Sequence, residues 1–177
     1  ARAPMQTQLE GLTVLVTGAS GGIGEAIVRA FLDEGANVIA QAHRHADALQ
    51  AWVEREGLSE RVMVGEVDVR DPAQLERLVD DALTDYERID VAVANAGIWP
   101  AEDLPLHRMD PARVREVLDV DLLGAMWTCR AFMKQLAELG PRADGRGASL
   151  CLIGSTAGRF GEANHVEYTV AKAGLYG

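Results

Sequence analysis

The sequence predicts an α/β fold, a doubly wound parallel sheet with helices on both faces. Short, nearly continuous apolar runs rich in Val, Ile and Ala alternate with longer segments of helical period, as repeated strand-helix-strand units require. The first of these runs passes through a glycine-rich turn straight into a helical pattern.

Five strands are expected, over 12–17, 38–42, 62–67, 91–94 and 148–153. Each is apolar along nearly its whole length, as strands covered on both faces must be. The first helix follows the glycine turn over 22–34, and the second spans 46–56. Asp71-Pro72 opens the third, 72–86, and Asp110-Pro111 opens a long one, 111–139. In both, an Asp caps the free amides and a proline takes the first helical position, where a missing N–H costs nothing. Residues 140–147 (GPRADGRG) read as a flexible loop, and a last helix begins at 163. That helix shows no cap or following strand before Gly177, as expected of a chain lacking its C-terminal part. One domain over 9–177 and an N-terminal extension over 1–8 complete the organisation, with no internal repeat.

The composition suits a single globular domain with a sizeable core, 48% of its 177 residues being hydrophobic and 25% charged. A net charge of −10, from 17 basic and 27 acidic residues, disfavours nucleic acid and anionic membranes as partners. Cys129 and Cys151 lie in apolar runs without paired spacing, so they read as buried thiols of a reducing compartment. The chain carries no apolar run of the roughly 20 residues that span a bilayer, and residues 1–10 lack the order of a signal peptide. A cytoplasmic location is therefore expected.

The turn reads Thr17-Gly18-Ala19-Ser20-Gly21-Gly22-Ile23-Gly24. Glycines allow a tight reversal and let backbone amides approach a pyrophosphate, which the helix N-terminus stabilises. Such turns elsewhere merely reverse the chain; placement between a buried strand and a helix favours a dinucleotide.

Tyr168 and Lys172 stand four residues apart, on one helix face a turn from each other. A phenol, with an ordinary pKa of about 10, is a poor base at neutral pH, and an adjacent ammonium favours its ionised form. The pair alone also suits a plain solvated helix face. Ser155 adds a third group, at the end of the fifth strand and thirteen residues before Tyr168. Ligands of parallel sheets bind beyond the carboxyl ends of the strands, where a hydroxyl can meet the oxygen that exchanges its proton with Tyr168.

The Thr-Gly-x-x-x-Gly-x-Gly spacing and the Ser…Tyr-x-x-x-Lys order together resemble the short-chain dehydrogenase/reductase family, in its 3-oxoacyl-reductase-like branch, over residues 9–177. The resemblance implies a Rossmann fold with Gly18, Ser20, Gly22, Ile23 and Gly24 at the cofactor, and Ser155, Tyr168 and Lys172 as catalytic residues. It likewise implies that Asn95-Ala96-Gly97 borders the cofactor, that Asp68 and Val69 meet its adenine, and that Tyr168 and Lys172 also touch it. Asp121 stands where the family usually has an Asn that completes a proton relay through its backbone carbonyl, and its charge bears on Lys172. Relatives continue through two further strands and a segment covering the substrate. They also pair through long helices, so a homodimer or homotetramer is expected, with Val114, Leu118, Leu122, Met126 and Met133 as the apolar stripe.

An acid at the end of the second strand would bind ribose hydroxyls and repel a 2′-phosphate. Ala42 stands there, followed by His43 and Arg44; Arg can clasp a phosphate with its planar fork, so NADP is favoured, with NAD possible. The expectation is a sheet in the order 3-2-1-4-5 and hydride transfer between NADP(H) or NAD(H) and a carbonyl or secondary alcohol, with no metal implied. Two alternatives stand beside it. One is a homologue that binds cofactor but is catalytically impaired. The other is a dehydratase or epimerase of the extended branch, against which the glycine spacing argues.

Overall fold

The computed structural model describes residues 7–177, so the expected extension over 1–8, like most of the leading segment 1–10, lies outside the described residues. The sheet has five parallel strands in the order β3-β2-β1-β4-β5, as expected. They are β1 (Thr13–Val16), β2 (Asn37–Ala42), β3 (Val62–Glu66), β4 (Val91–Ala94) and β5 (Ser149–Leu152). Each lies within a residue of its expected bounds, apart from the loss of single end residues to turns.

Alternation along β1 divides the interior in two. Val14 and Val16 pack with Val28 and Leu32 of α1 (Gly22–Asp33) and with Leu49, Trp52 and Val53 of α2 (Ala46–Arg55). Leu15 faces the other way, joining Leu75 and Val79 of α3 (Pro72–Asp85) and Phe132 beyond it. Asp71 and Asp110 cap their helices as expected, Asp71 accepting from Ala73 and Gln74 and Asp110 from Ala112.

Four expectations are corrected. The helix expected over 111–139 is three pieces, α4 (Pro111–Leu118), a π turn (Asp119–Leu123) and α5 (Gly124–Leu139). A short helix absent from the sequence reading, α6 (Thr156–Phe160), follows β5 with Ser155 as its cap. The last helix, α7 (Val166–Gly174), begins at Val166 instead of 163, because Asn164 takes a left-handed conformation with φ 62° that no helix interior accepts. Finally, Cys151 is exposed and Cys129 only half-buried: β5 is one of the two edges of the sheet and all four of its residues are exposed, so an apolar sequence there did not mean burial on both faces.

At the amino ends of the strands, buried Asp90 accepts from the Thr13 amide at 3.1 Å and pairs with Arg142 at 2.7 Å, fastening the 140–147 loop beneath β1 and β4. No helix of the described residues is long and apolar enough to cross a membrane.

Phe132 is the largest fully buried side chain, wedged between α5 and the sheet. Phe132→Ala is expected to cost about 3–5 kcal/mol, the range for truncating a buried ring. Urea unfolding with an unchanged slope and a lower midpoint is the check.

Candidate active site

At the carboxyl end of β1 the chain reverses through Gly18, whose φ is 67°. A Cβ there would lie 2.8 Å from the Ala96 Cα, and one at Gly24 would lie 2.1 Å from the Gly18 carbonyl oxygen. Those two positions are therefore glycine because backbone passes against backbone. Gly22 differs: a Cβ there meets nothing within 4 Å. Gly21 caps α1 without a side-chain acceptor, so the first-turn amides are left for a ligand, and an anion is the ligand that a helix N-terminus favours. This open, uncapped cradle fits the pyrophosphate of a dinucleotide.

Two polar side chains that the sequence reading did not single out hold the cradle. Gln41, buried in β2, accepts from the Gly18 amide at 2.9 Å and donates to the Val67 carbonyl. The Thr17 hydroxyl accepts from the amides of Asn95 and Ala96 at 3.0 and 3.1 Å, and the Asn95 side chain donates back to the Thr17 carbonyl at 2.9 Å. A glutamine inside an otherwise apolar run was the available signal for Gln41, since a buried amide must find partners.

Gly18, Ser20, Gly22, Ile23, Gly24, His43, Arg44, Asp68, Val69, Asn95, Ala96 and Gly97 all line one cavity of about 370 Å³. The structure adds Gln41, Arg70, Ile98, Glu116 and Val120 to its wall. Ala42 is fully buried and leaves the wall to its neighbours. The Ser20 hydroxyl donates to the Arg44 carbonyl at 2.9 Å, fastening the basic loop to the glycine turn. Arg70 grips Asp68 Oδ2 at 2.6 Å, with His43 3.7 Å from the same oxygen, and the Arg70 guanidinium holds the Asp68 carboxyl below the usual carboxylate range. Arg44 is exposed and forms no ion pair among the described residues.

Beyond Gly97 lies the second group of residues. Tyr168 and Lys172 share one face of α7, with the Lys172 Nζ 5.7 Å from the phenol ring centre. The ammonium is buried, donates to the Ile153 carbonyl at 3.1 Å and stands 3.4 Å from Asp121 Oδ2. Asp121 reaches it because the π turn swings the residue inward, a common use of such insertions. Its other oxygen accepts from the Ile98 amide at 2.8 Å. Burial pushes the Asp121 carboxyl above its ordinary range, outweighing the Ile98 amide and the Lys172 charge. A Cβ on Gly97 would lie 3.0 Å from Asp121 Oδ2 and 3.3 Å from Lys172 Nζ, so this glycine seats the pair against the cavity wall. The Ser155 hydroxyl accepts from Ala157 at 3.2 Å as the cap of α6; that use occupies a lone pair and leaves its O–H free to donate.

The model of the short chain dehydrogenase family matches residues 12–177. L-rhamnose 1-dehydrogenase (NAD(P)(+)) of Sphingomonas sp. strain SKA58 is 34% identical over 172 residues, covering 95% of this chain and 64% of the relative. The 3-oxoacyl-(acyl-carrier-protein) reductase of Thermotoga maritima is 33% identical over 170 residues, covering 96% of this chain and 66% of the relative. A crystal structure of a short-chain dehydrogenase/reductase, described as a glucose/ribitol dehydrogenase, from Brucella melitensis superposes with a TM-score of 0.84 at 26% identity, covering 97% of this chain and 68% of that one. The chain thus spans just under two thirds of the length of these curated relatives.

Because burial raises the Asp121 pKa in the folded chain, the protein loses stability as pH rises through the window that opens at the unfolded value, about 3.9, and closes at the folded one. Asp121→Asn lacks that loss. Its stability relative to the wild type is expected to grow between about pH 4 and about pH 7, read from urea midpoints at the two values; a constant difference would contradict the burial effect.

Proposed function

The chain belongs to the short chain dehydrogenase family, and on that premise we propose that it is an NADP(H)-dependent oxidoreductase interconverting a small-molecule carbonyl and its secondary alcohol. The observation that carries the reading is Gly97, which lines the cavity of the anion-ready glycine cradle and lies against Lys172, the partner of Tyr168; Tyr168, Lys172 and Ser155 themselves stand outside that cavity's lining. When bound, the nicotinamide supplies or accepts the hydride.

The chain's own residues divide the remaining work. The α1 amides at Gly22, Ile23 and Gly24 hold the pyrophosphate, and Asn95, Ala96 and Gly97 form the wall beside it. Tyr168 donates a proton to the substrate oxygen in reduction and removes it in oxidation. The free O–H of Ser155 donates to the same oxygen and keeps it in place while charge develops. Lys172, fixed by the Ile153 carbonyl and Asp121, presents its ammonium to Tyr168 and to the cofactor ribose. Asp121 acts here through Lys172.

NADP over NAD rests on the absence of an acid at Ala42 and on Arg44, whose guanidinium is free to meet a 2′-phosphate. Arg70 adds a second guanidinium to the same wall, although Asp68 holds it. Chains pairing through the exposed Met126 and Met133 of α5 and a cytoplasmic location belong to the same reading. A second reading, a chain that binds cofactor without turnover, is favoured by one observation, the carboxylate of Asp121 beside Lys172.

NADPH is expected to bind more tightly than NADH by calorimetry, and Arg44→Ala is expected to erase most of the difference; equal affinities in the wild type would sink the assignment. Tyr168→Phe is expected to lower turnover by about 10²–10⁴-fold with cofactor affinity nearly unchanged. A wild-type rate in that variant would remove Tyr168 from the chemistry, and absence of turnover in the wild type across ketones and alcohols would favour the second reading.

A further inference from the structure

A cluster that the roles above leave unused abuts the ring of Tyr168 on one side. The Trp99 indole lies edge-on to it, with ring centres 4.7 Å apart and planes at 83°. On Trp99 stacks His165, at 4.0 Å and 28°. The imidazole is almost wholly buried; its Nε2 meets Asp103 Oδ1 at 2.7 Å, and its Nδ1 has no hydrogen-bond partner among the described residues. Asp103 itself is largely exposed, with 74% of its side chain open to solvent.

These contacts join two segments distant in sequence, the loop after β4 and the start of α7. The join is made twice, because the Leu104 amide also donates to the Asn164 carbonyl at 3.1 Å. Asn164 holds φ at 62°, the left-handed conformation that asparagine adopts more readily than other side-chain-bearing residues, and there it turns its carbonyl to Leu104. An aliphatic side chain would fill the His165 position without leaving a buried nitrogen unpaired, so packing alone does not account for a histidine.

We infer that His165 is a positioning residue for Tyr168: held from outside by Asp103, it fixes Trp99 as the wall that sets the direction of the phenol. The inference rests on the reading of Tyr168 as the proton-transfer group. The phenol has two rotatable bonds, and Lys172 touches only one side of its ring, at 5.7 Å from the centre. Trp99 supplies an edge contact of the geometry that aromatic pairs prefer. It also remains half-exposed beside Tyr168, at 52%, so a substrate that reaches the phenol meets the indole as well. Loosening this wall leaves the nucleotide cradle untouched and lets the hydroxyl wander from the substrate oxygen, a fault that appears in kcat.

The test measures kcat with saturating NADPH, cofactor affinity, and the indole N–H resonances of the chain's three tryptophans. His165→Gln keeps a donor for Asp103 but lacks the ring, and is expected to lower kcat by about 10-fold to 10²-fold, the scale of misplacing a catalytic group by about 1 Å. Cofactor affinity is expected to hold within about twofold, and His165→Phe, which restores a stacking ring, to recover most of the rate. In a Trp99→Ala background His165→Gln is expected to cause no further loss, because both changes remove one wall. Wild-type kcat in His165→Gln, or losses that add in the double variant, overturns the inference while an inactive Tyr168→Phe leaves the underlying reading standing. An active Tyr168→Phe brings down that reading instead. Should His165→Gln fail to fold, Asp103→Ala frees the same histidine from the surface; a displaced Trp99 resonance with lowered kcat supports the inference, and an unchanged resonance and rate overturn it.

Discussion

The site depends on the reciprocal hydrogen bonds between Thr17 and Asn95. β1 and β4 are neighbours in the sheet but 78 residues apart at this contact, and each ends in a turn that would otherwise be free to move. The threonine hydroxyl takes two amides of the second turn, and the asparagine amide returns to the carbonyls of the first. The turns become one rigid piece, so close that a Cβ on Gly18 would strike the Ala96 backbone. The glycine cradle hangs from one side of it. From the other hangs Gly97, and against Gly97 sit Asp121 and Lys172. Distances between the two halves are thereby set by four hydrogen bonds in place of a long path through the core.

Charge is used differently at the two ends of the sheet. Asp90, below β1 and β4, is buried but satisfied, with a backbone amide and a guanidinium in contact. Asp121, above, has one oxygen on the Ile98 amide and the other without a hydrogen-bond partner among the described residues. A buried carboxylate beside one ammonium is a costly arrangement, because desolvation competes with the attraction. Such incomplete satisfaction is tolerated where the group serves the site, and the same holds for the half-satisfied His165.

What could be read from the residues follows from how local each signal is. Strands of a doubly wound sheet leave nearly unbroken apolar runs, so all five strands and the sheet order were legible. Asp-Pro pairs fix helix starts through the backbone alone, and both held. The cradle and the Tyr168–Lys172 pair follow from spacing within single segments. Cys151 was misplaced because the same apolar run describes an edge strand as readily as a central one. The π turn was hidden because Asp119-Val120-Asp121-Leu122-Leu123 carries no breaker and suits an α-helix equally well. α6 has only five residues, one of them glycine, too few for a periodic pattern. Arg70, Gln41 and the Trp99–His165 stack acquire their roles only through partners brought close by the fold.

The π turn has an effect beyond delivering one carboxylate. With 3.6 residues per turn, a single extra residue rotates everything after it by about 100°. The apolar stripe running from Val114 through Leu118 and Leu122 to Met126 and Met133 is therefore out of phase with itself. Its first three members are half-buried, and Leu122 packs beside Gly174, while Met126 and Met133 emerge on the surface. The insertion works as a gear change along one continuous rod, letting Asp121 face Lys172 while the lower stretch turns its own face outward. The angular setting of Asp121 and the outward face of α5 are thus fixed by different stretches of the rod, one on each side of the inserted residue.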